Sequence, residues 1–261
     1  MASSAAEAGG EDSDENIANL SIREICRRFQ GERLIVQPLA WTTRHLQLLR
    51  CTINELPESS SNASQLQPMP NTPQPSPDIA TNWARMVVTR YPDEVASAVG
   101  SLLEFYSFTM LSDPLMFCNE KHKIHHPCDI YTGISPCSNG PQLSSVAYVD
   151  ELNIYHLRCA VLTRRMLWGL PQHENKKAAF TDPYTAALLI AQAQRLRKEN
   201  ALSTRTQDPG GSSCKSHSPY KVQLMKSVHM GVRRNQLWLY TAFVTDAFLD
   251  KLAYQSCTAK R

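Results

Sequence analysis

Residues 181–201, TDPYTAALLIAQAQRLRKENA, decide the fold that the sequence predicts. Thr181 or Asp182 is a suitable N-cap, and Pro183 fits the first helical position. Basic residues follow at the other end, where they complement the negative pole of the helix dipole. The first half is apolar on nearly every side, which is typical of a buried helix. The sequence therefore predicts a central helix against which the other elements pack.

The segments after this helix predict a strand hairpin and a closing helix. YKVQLMKSVHM (220–230) alternates apolar and polar side chains, and LWLYTAFV (237–244) consists mostly of residues that favour strands. With a short connection between them, the two predict an antiparallel hairpin. TDAFLDKLAYQ (245–255) predicts a capped helix, and residues 202–219, rich in Ser, Gly and Pro, predict a flexible loop.

The chain before residue 181 predicts mainly helices. Ser21 and Glu24 have the spacing of a capping box, which favours a short helix over 20–29. The other predicted elements are a strand at 33–40 that Pro38 ends or moves to a sheet edge, a helix at 41–56, a helical stretch at 79–111 interrupted at Pro92, a polar loop at 112–145 and a long helix at 148–168.

Composition divides the chain into four parts. Its 261 residues are 42% hydrophobic and 20% charged, which is ordinary for a globular protein. We predict a disordered acidic tail at 1–16, a segment with helix and strand at 17–56, a Pro/Ser-rich linker at 57–78 and a folded domain at 79–261. The predicted fold class is α+β, with helices packed on a small, mainly antiparallel sheet.

Charge and the N-terminus limit the classes of partner. The net charge is +3 with no run of five like charges, so that we expect no nucleic-acid partner. The N-terminus lacks the basic start and apolar stretch of a secretory signal, and no stretch is apolar enough for a membrane span. We therefore expect an intracellular protein, cytoplasmic or nuclear, without a membrane partner. Its eight cysteines are then expected to be free thiols.

The stretch CNEKHKIHHPC (118–128) is the one candidate metal site in the sequence. Thiolate and imidazole are the ligands that zinc prefers, and a structural site needs four of them. With Cys137 added, Cys118, His122 and Cys128 complete such a set, although the spacing lacks the paired hooks that usually build a zinc site. The alternative interpretation is a solvated polar loop without a cofactor, and this is the interpretation that we favour.

Known catalytic motifs are missing, so that we assign no catalytic residue. HExxH, GxSxG, the P-loop and GxGxxG do not occur. His156 is either a catalytic base or, as we favour, a structural histidine on a helix. A restriction-nuclease-like core needs an Asp on one strand and an acidic residue with a Lys on the next. Here Lys221 and Lys226 fall on the first strand of the hairpin and Asp246 follows the second, so that this constellation is incomplete.

The C-terminal third resembles a group of filamentous-fungal proteins of unknown function. The shared features are the ProTyr-then-Ala-Leu-Leu-Ile helix, the hairpin rich in Leu and Tyr, and the start of the AFLDKL helix, over residues 181–252. Some proteins of this kind come from genes expressed during asexual spore (conidium) formation. The resemblance implies no activity, cofactor or site residue.

These observations leave three classes of function open. The first is a non-enzymatic protein that acts by binding protein partners, with a role in fungal development such as conidiation or sporulation. The second is an enzyme without a recognisable motif, or a decayed nuclease-like domain. The third is a zinc-stabilised interaction module. We expect the first, because the sequence contains no catalytic motif.

Overall fold

The computed structural model describes residues 20–29, 36–54, 82, 85–86, 92–119, 122–126, 128–137, 140–162, 181–205, 218–229 and 235–252. The helices in this part of the chain are α1 (Ile22–Arg28), a 3-10 helix (Pro38–Ala40), α2 (Thr43–Leu49), α3 (Pro92–Phe105), α4 (Glu151–Val161), α5 (Pro183–Arg205) and α6 (Asp246–Leu252). The strands are β1 (Thr109–Leu111), β2 (Leu115–Asn119), β3 (His122–His126), β4 (Asp129–Cys137), β5 (Gly140–Asp150), β6 (Tyr220–His229) and β7 (Asn235–Val244).

Five of the strands form one mixed sheet in the order β1-β4-β5-β6-β7. β5 and β6 run parallel, and the other three neighbouring pairs run antiparallel. β2 and β3 form a separate antiparallel hairpin. The fold is therefore α+β with a mainly antiparallel sheet, as the sequence predicts. A parallel pair needs a crossover between its strands, and α4 and α5 lie within that crossover.

Helix α5 is the central buried helix that the sequence predicts. Every side chain from Asp182 to Ala193 is buried. The carboxylate of Asp182 accepts a hydrogen bond from the backbone N–H of Tyr184 at 3.0 Å, which satisfies one of the free donors at the start of the helix. Pro183 occupies the first helical position, as expected. None of the described helices is long and apolar enough to span a membrane.

The sheet is covered by helices on both faces. One face packs with α5 in a hydrophobic core that includes Leu188 from the helix and Leu224 from β6. The other face packs with α3 in a second core, in which Val99 joins Tyr131 and Met225. Side chains 146–149 of β5 alternate between these two cores, and every side chain from Ser145 to Asp150 is buried. A strand that is buried on both faces loses the apolar–polar alternation that would mark it in the sequence.

Residues 20–29 and 36–54 pack into the core of α5 through Ile22, Trp41 and Leu46. The capping box of α1 is confirmed, since the Glu24 carboxylate accepts from the Ser21 backbone N–H at 2.7 Å. The strand predicted at 33–40 is wrong over its described part, because Pro38 opens a 3-10 helix in which Trp41 N–H donates to the Pro38 carbonyl. Pro38 has no N–H for a strand ladder but suits the first position of a helix.

Three helix boundaries differ from prediction. α2 begins at Thr43 and ends at Leu49, where Arg50 takes a left-handed conformation with φ of 55° that stops the helix. The helical stretch predicted to reach residue 111 ends at Phe105, and residues 109–111 are strand β1. The helix predicted at 148–168 begins at Glu151, because Tyr148 to Asp150 belong to β5. At the last boundary, a buried strand and a buried helix have similar apolar content, so the pattern alone did not separate β5 from α4.

The predicted polar loop at 112–145 is also wrong, because β2, β3, β4 and most of β5 lie there. Pairing between β4 and β5 extends from Asp129 opposite Tyr148 to Cys137 opposite Gly140.

The predicted β6–β7 hairpin and helix α6 are confirmed. The predicted tail at 1–16 and linker at 57–78 lie outside the described residues, as do residues 206–217 of the predicted loop and 163–168 of the long helix.

Candidate functional site

Polar side chains gather where the parallel strands β5 and β6 end. Asp150 is the last residue of β5 and lies in register with Ser227 near the end of β6. Because the strands run parallel, both carboxyl ends open at the same edge of the sheet, and this edge is a common place for ligand sites. Side chains at the two ends alternate between the faces of the sheet, so two separate clusters form here.

The first cluster, on the α3 face, is centred on Asp150. Its Oδ2 accepts hydrogen bonds from the Ser227 hydroxyl and from His229 Nε2, the latter at 3.1 Å. The Tyr148 hydroxyl lies 2.9 Å from Ser227 Oγ. Since the Ser227 proton is directed at Asp150, Tyr148 is the donor in this bond. The other carboxylate oxygen, Oδ1, accepts from the backbone N–H groups of residues 152 and 153 and caps α4.

This environment sets the charge of the Asp150 cluster. Burial raises the pKa of Asp150, but the hydrogen bonds from His229 and Ser227 outweigh it, so the pKa lies below its usual range. Burial raises the pKa of Tyr148. Asp150 is therefore a carboxylate at neutral pH whose two oxygens both accept hydrogen bonds, and Tyr148 keeps its proton.

The Asp150 cluster is not a nucleophilic triad. In a triad the histidine lies between the serine and the carboxylate and takes the serine proton. Here Ser227 and His229 both contact the same oxygen of Asp150. Ser227 therefore has a carboxylate as its acceptor, and its oxygen accepts from Tyr148. The arrangement holds β5, β6 and α4 together and does not activate Ser227.

The second cluster, on the α5 face, pairs two acids with two bases. Arg158 forms a two-pronged ion pair with Asp182, with nitrogen–oxygen distances of 3.0 and 2.7 Å. Lys226 Nζ lies 3.7 Å from Asp182 and 3.7 Å from Glu151. All four side chains are buried, and Lys226 has no exposed surface. Burial raises the pKa of Asp182, but the charges of Lys226 and Arg158 outweigh it and lower the pKa overall.

This second cluster also connects separate parts of the chain. Arg158 Nε donates to the Leu39 carbonyl at 3.1 Å, so that α4 is attached to the 3-10 helix. Arg158, Asp182 and Lys226 come from α4, the start of α5 and β6. The two acids balance the two bases in charge, and this arrangement is typical of a structural ion network.

Lys226 and Asp246, which we considered for a nuclease-like constellation, contact different partners. Lys226 faces α5, whereas its neighbour Ser227 and Asp150 face α3, so the lysine and this carboxylate lie on opposite sides of the sheet. Asp246 is at the start of α6, where it pairs with Arg197 at 3.1 Å. Among the described residues, no group of three His, Cys, Asp or Glu side chains is placed to hold a metal ion.

The four zinc candidates fall in different elements. Cys118 lies in β2, His122 begins β3, Cys128 follows β3 and Cys137 ends β4. β4 has nine residues, which as an extended strand span about 26 Å. Zinc ligands must approach one another to within about 4 Å, so that the structure does not bring Cys137 to Cys128. Zinc binding in this stretch stays a prediction.

The stretch around these cysteines is a hairpin held by α5. The side chain of Gln194 accepts from the backbone N–H of Cys118 at 2.9 Å and donates to its carbonyl at 2.7 Å. His126 Nδ1 forms a hydrogen bond of 2.7 Å with the Tyr184 hydroxyl. Burial raises the pKa of Cys128 to about 12, which opposes the thiolate form that binds metal. The described contacts of His126 and the burial of Cys128 are therefore typical of residues that stabilise the fold.

His156, the candidate base, lies exposed on α4 and takes part in neither cluster. The sequence did not single out Asp150, Ser227 or Arg158 as a group. Asp150 carried a usable signal, because an Asp immediately before a helix is a good N-cap. The partners of Arg158 and Ser227 lie far away in the chain, and no local pattern identifies them.

The strand β7, which we call the outer strand (Asn235–Val244), carries an exposed apolar surface. It is the last strand of the sheet, and no described strand pairs with its outer edge. Leu239 is 50% exposed and Phe243 is 66% exposed. Both lie on the α3 face, since Leu239 is in register with Met225 of the α3 core. Tyr240 and Val244 on the other face are buried against α5.

Comparison of the chain with protein-family models, with curated proteins and with solved structures found no match. The fold and the two clusters define an α+β domain with helices on both faces of its sheet and an apolar outer strand. Its function is therefore inferred from these surfaces.

Proposed function

We propose that the protein is a non-enzymatic binding protein and that it contacts a protein partner through the outer strand. The observation that carries the proposal is the pair of exposed apolar side chains, Leu239 and Phe243, on a strand whose outer edge is unpaired among the described residues. An extended segment of a partner that adds to such an edge gains backbone hydrogen bonds, and exposed side chains give it specificity.

Two features of the outer strand support this proposal. Its ten residues include no charge and no proline, and its register with β6 continues over all ten without a bulge. Charges, prolines and bulges are the usual means by which a sheet edge is protected from pairing. At the opposite edge, β1 is only three residues long. The outer strand is therefore the described edge better suited to accept another strand.

The polar clusters support the non-enzymatic part of the proposal. The Asp150 carboxylate accepts hydrogen bonds from other side chains of the protein, and Asp182 pairs with Lys226. These groups therefore stabilise the fold. We also propose that the partner is met inside the cell, in the cytoplasm or nucleus, as expected from the sequence, and during spore formation, as the resemblance to fungal proteins implies.

A photo-crosslinking amino acid placed at position 243 of the full chain tests this proposal in cells of the host during spore formation. Position 202 is the matched control, because Leu202 is also a large apolar side chain and is 54% exposed. We expect one dominant protein adduct from position 243 and none of that mass from position 202. Adducts of the same masses and yields from both positions would contradict the proposal, and so would no adduct from position 243.

A further inference from the structure

Resting on the proposed function, we infer that the partner of the outer strand is the outer strand of a second copy of this chain. The two strands pair antiparallel about a two-fold axis at Thr241. This pairing joins the two five-stranded sheets into one continuous sheet, with α3 of each copy on the same face.

The first argument is that the outer strand matches itself. In a two-fold pairing centred on Thr241, Leu239 of each copy lies opposite Phe243 of the other, and the two Thr241 side chains face each other. Apolar pairs with an aromatic member and Thr–Thr pairs both stabilise directly opposed positions. The exposed apolar side chains of both copies are therefore covered together. A symmetric dimer requires a patch that is complementary to itself in this way.

The opposite face of the strand fits the same register. Trp238 lies opposite Val244 of the other copy, and Tyr240 lies opposite Ala242, so that each large ring meets a smaller side chain. Moving the two-fold axis by two residues, to Leu239, would place Phe243 opposite the polar Asn235, so that no apolar side chain lies directly opposite its ring. Among pairings of this symmetry, the axis at Thr241 sets both exposed apolar side chains opposite each other.

The second argument is the distribution of charge. Like charges directly opposite each other destabilise a strand pair, and a charge on the axial residue of a two-fold pairing lies opposite its own copy. The outer strand carries none. The net charge of +3 is also small for 261 residues, so that repulsion between whole copies is weak. The paired part covers residues 238–244, which makes a small interface and a dimer that forms only with rising concentration.

Sedimentation analysis of the full chain over about three decades of concentration tests this inference. We expect the mass to rise from 29.3 kDa towards twice that value. Leu239→Lys alone and Phe243→Glu alone should each raise the dissociation constant about tenfold or more, because symmetry repeats each change on both sides. The double variant should restore dimerisation, since it places the introduced lysine opposite the introduced glutamate twice.

Two further variants keep the test decisive. Leu202→Lys changes an equally exposed apolar residue on α5 and should leave the dimer unchanged. Thr241→Lys sets two lysines against each other at the axis and should abolish the dimer. Both Thr241 and the two tested positions are exposed, so these variants are expected to fold, and circular dichroism checks it.

The outcomes separate this inference from the proposed function. A chain that stays monomeric at every concentration overturns the inference. A double variant that dimerises no better than either single variant overturns it as well. If position 243 nevertheless crosslinks to a different protein in cells, the proposed function stands and only the second copy is wrong. If it crosslinks to nothing and the chain is monomeric, both are wrong.

Discussion

At the scale of single residues, burial determines which cysteines react. Burial raises the pKa of Cys51 to about 11 and that of Cys128 to about 12, whereas Cys159 is exposed on α4. The thiolate is the form that reacts with alkylating agents, and it must also be reached by them. In the folded protein, the thiols of Cys51 and Cys128 are therefore both protonated and shielded.

We predict that iodoacetamide at about pH 8 modifies Cys159 of the folded protein at least about tenfold faster than Cys51 or Cys128. Peptide mass mapping over time measures the three rates. The same labelling in concentrated urea is the control, and there the three rates should converge because the burial is lost. Rapid labelling of Cys128 in the folded protein would show that its surroundings are more open than described.

At the scale of elements, one side chain attaches the β2–β3 hairpin to the central helix. Gln194 on α5 binds both the N–H and the carbonyl of Cys118, as a neighbouring strand would. Because the hairpin is separate from the main sheet, these two bonds replace part of the pairing that the outer edge of β2 lacks in the described chain. Burial of Leu115 and Phe117 completes the attachment.

We predict that Gln194→Ala lowers the free energy of unfolding by about 1–2 kcal/mol, since two hydrogen bonds to a partly buried backbone are lost. The amide of Cys118 should also exchange with solvent faster, which hydrogen–deuterium exchange measures. Lys198→Ala on the exposed side of the same helix is the matched control and should change stability by less than about 0.5 kcal/mol. Unchanged exchange at Cys118 in the first variant would contradict the proposed attachment.

At the scale of the whole molecule, the buried ion network joins parts of the chain that are far apart in sequence. Arg158 and Asp182 are 24 residues apart, and Lys226 is contributed by β6. Removal of one partner from a buried ion pair leaves an uncompensated charge and costs about 3–5 kcal/mol. An exposed pair contributes much less because water screens it.

We predict that Asp182→Asn lowers the free energy of unfolding at neutral pH by about 3–5 kcal/mol. The matched control is Glu199→Gln in the more exposed Arg195–Glu199 pair, which should change it by less than about 1 kcal/mol. Denaturant unfolding of both variants and the parent protein measures these differences. Equal losses in the two variants would contradict the role assigned to the buried network.

The same variant should also change the dependence of stability on pH. The pKa of Asp182 is lowered in the folded protein, so its stabilising contribution is present above the ordinary aspartate pKa of about 3.9 and is lost as the pH falls through the lowered value. The difference in stability between the parent and Asp182→Asn should therefore shrink in acid. A difference that stays constant between neutral pH and pH about 3 would contradict this linkage.

The sequence predicts the elements whose signals are local. α5 follows from an Asp-Pro start and a long apolar run, and the capping box of α1 follows from Ser21 and Glu24. The β6–β7 hairpin follows from alternation across a short connection. The five strands within 109–150 were missed, because polar residues in the Cys/His stretch conceal the alternation and β5 is apolar on both faces.

The amino-acid sequence by itself determined the starts of α1 and α5, the hairpin and the α+β class, because caps and periodicity act between residues a few positions apart. Only the tertiary structure decided that β5 pairs parallel with β6, and this pairing brings Asp150 to Ser227 and His229. It also decided that β7 is the last strand of the sheet and presents Leu239 and Phe243. Desolvation and pairing between distant segments create these features, and no local pattern records which segments will meet.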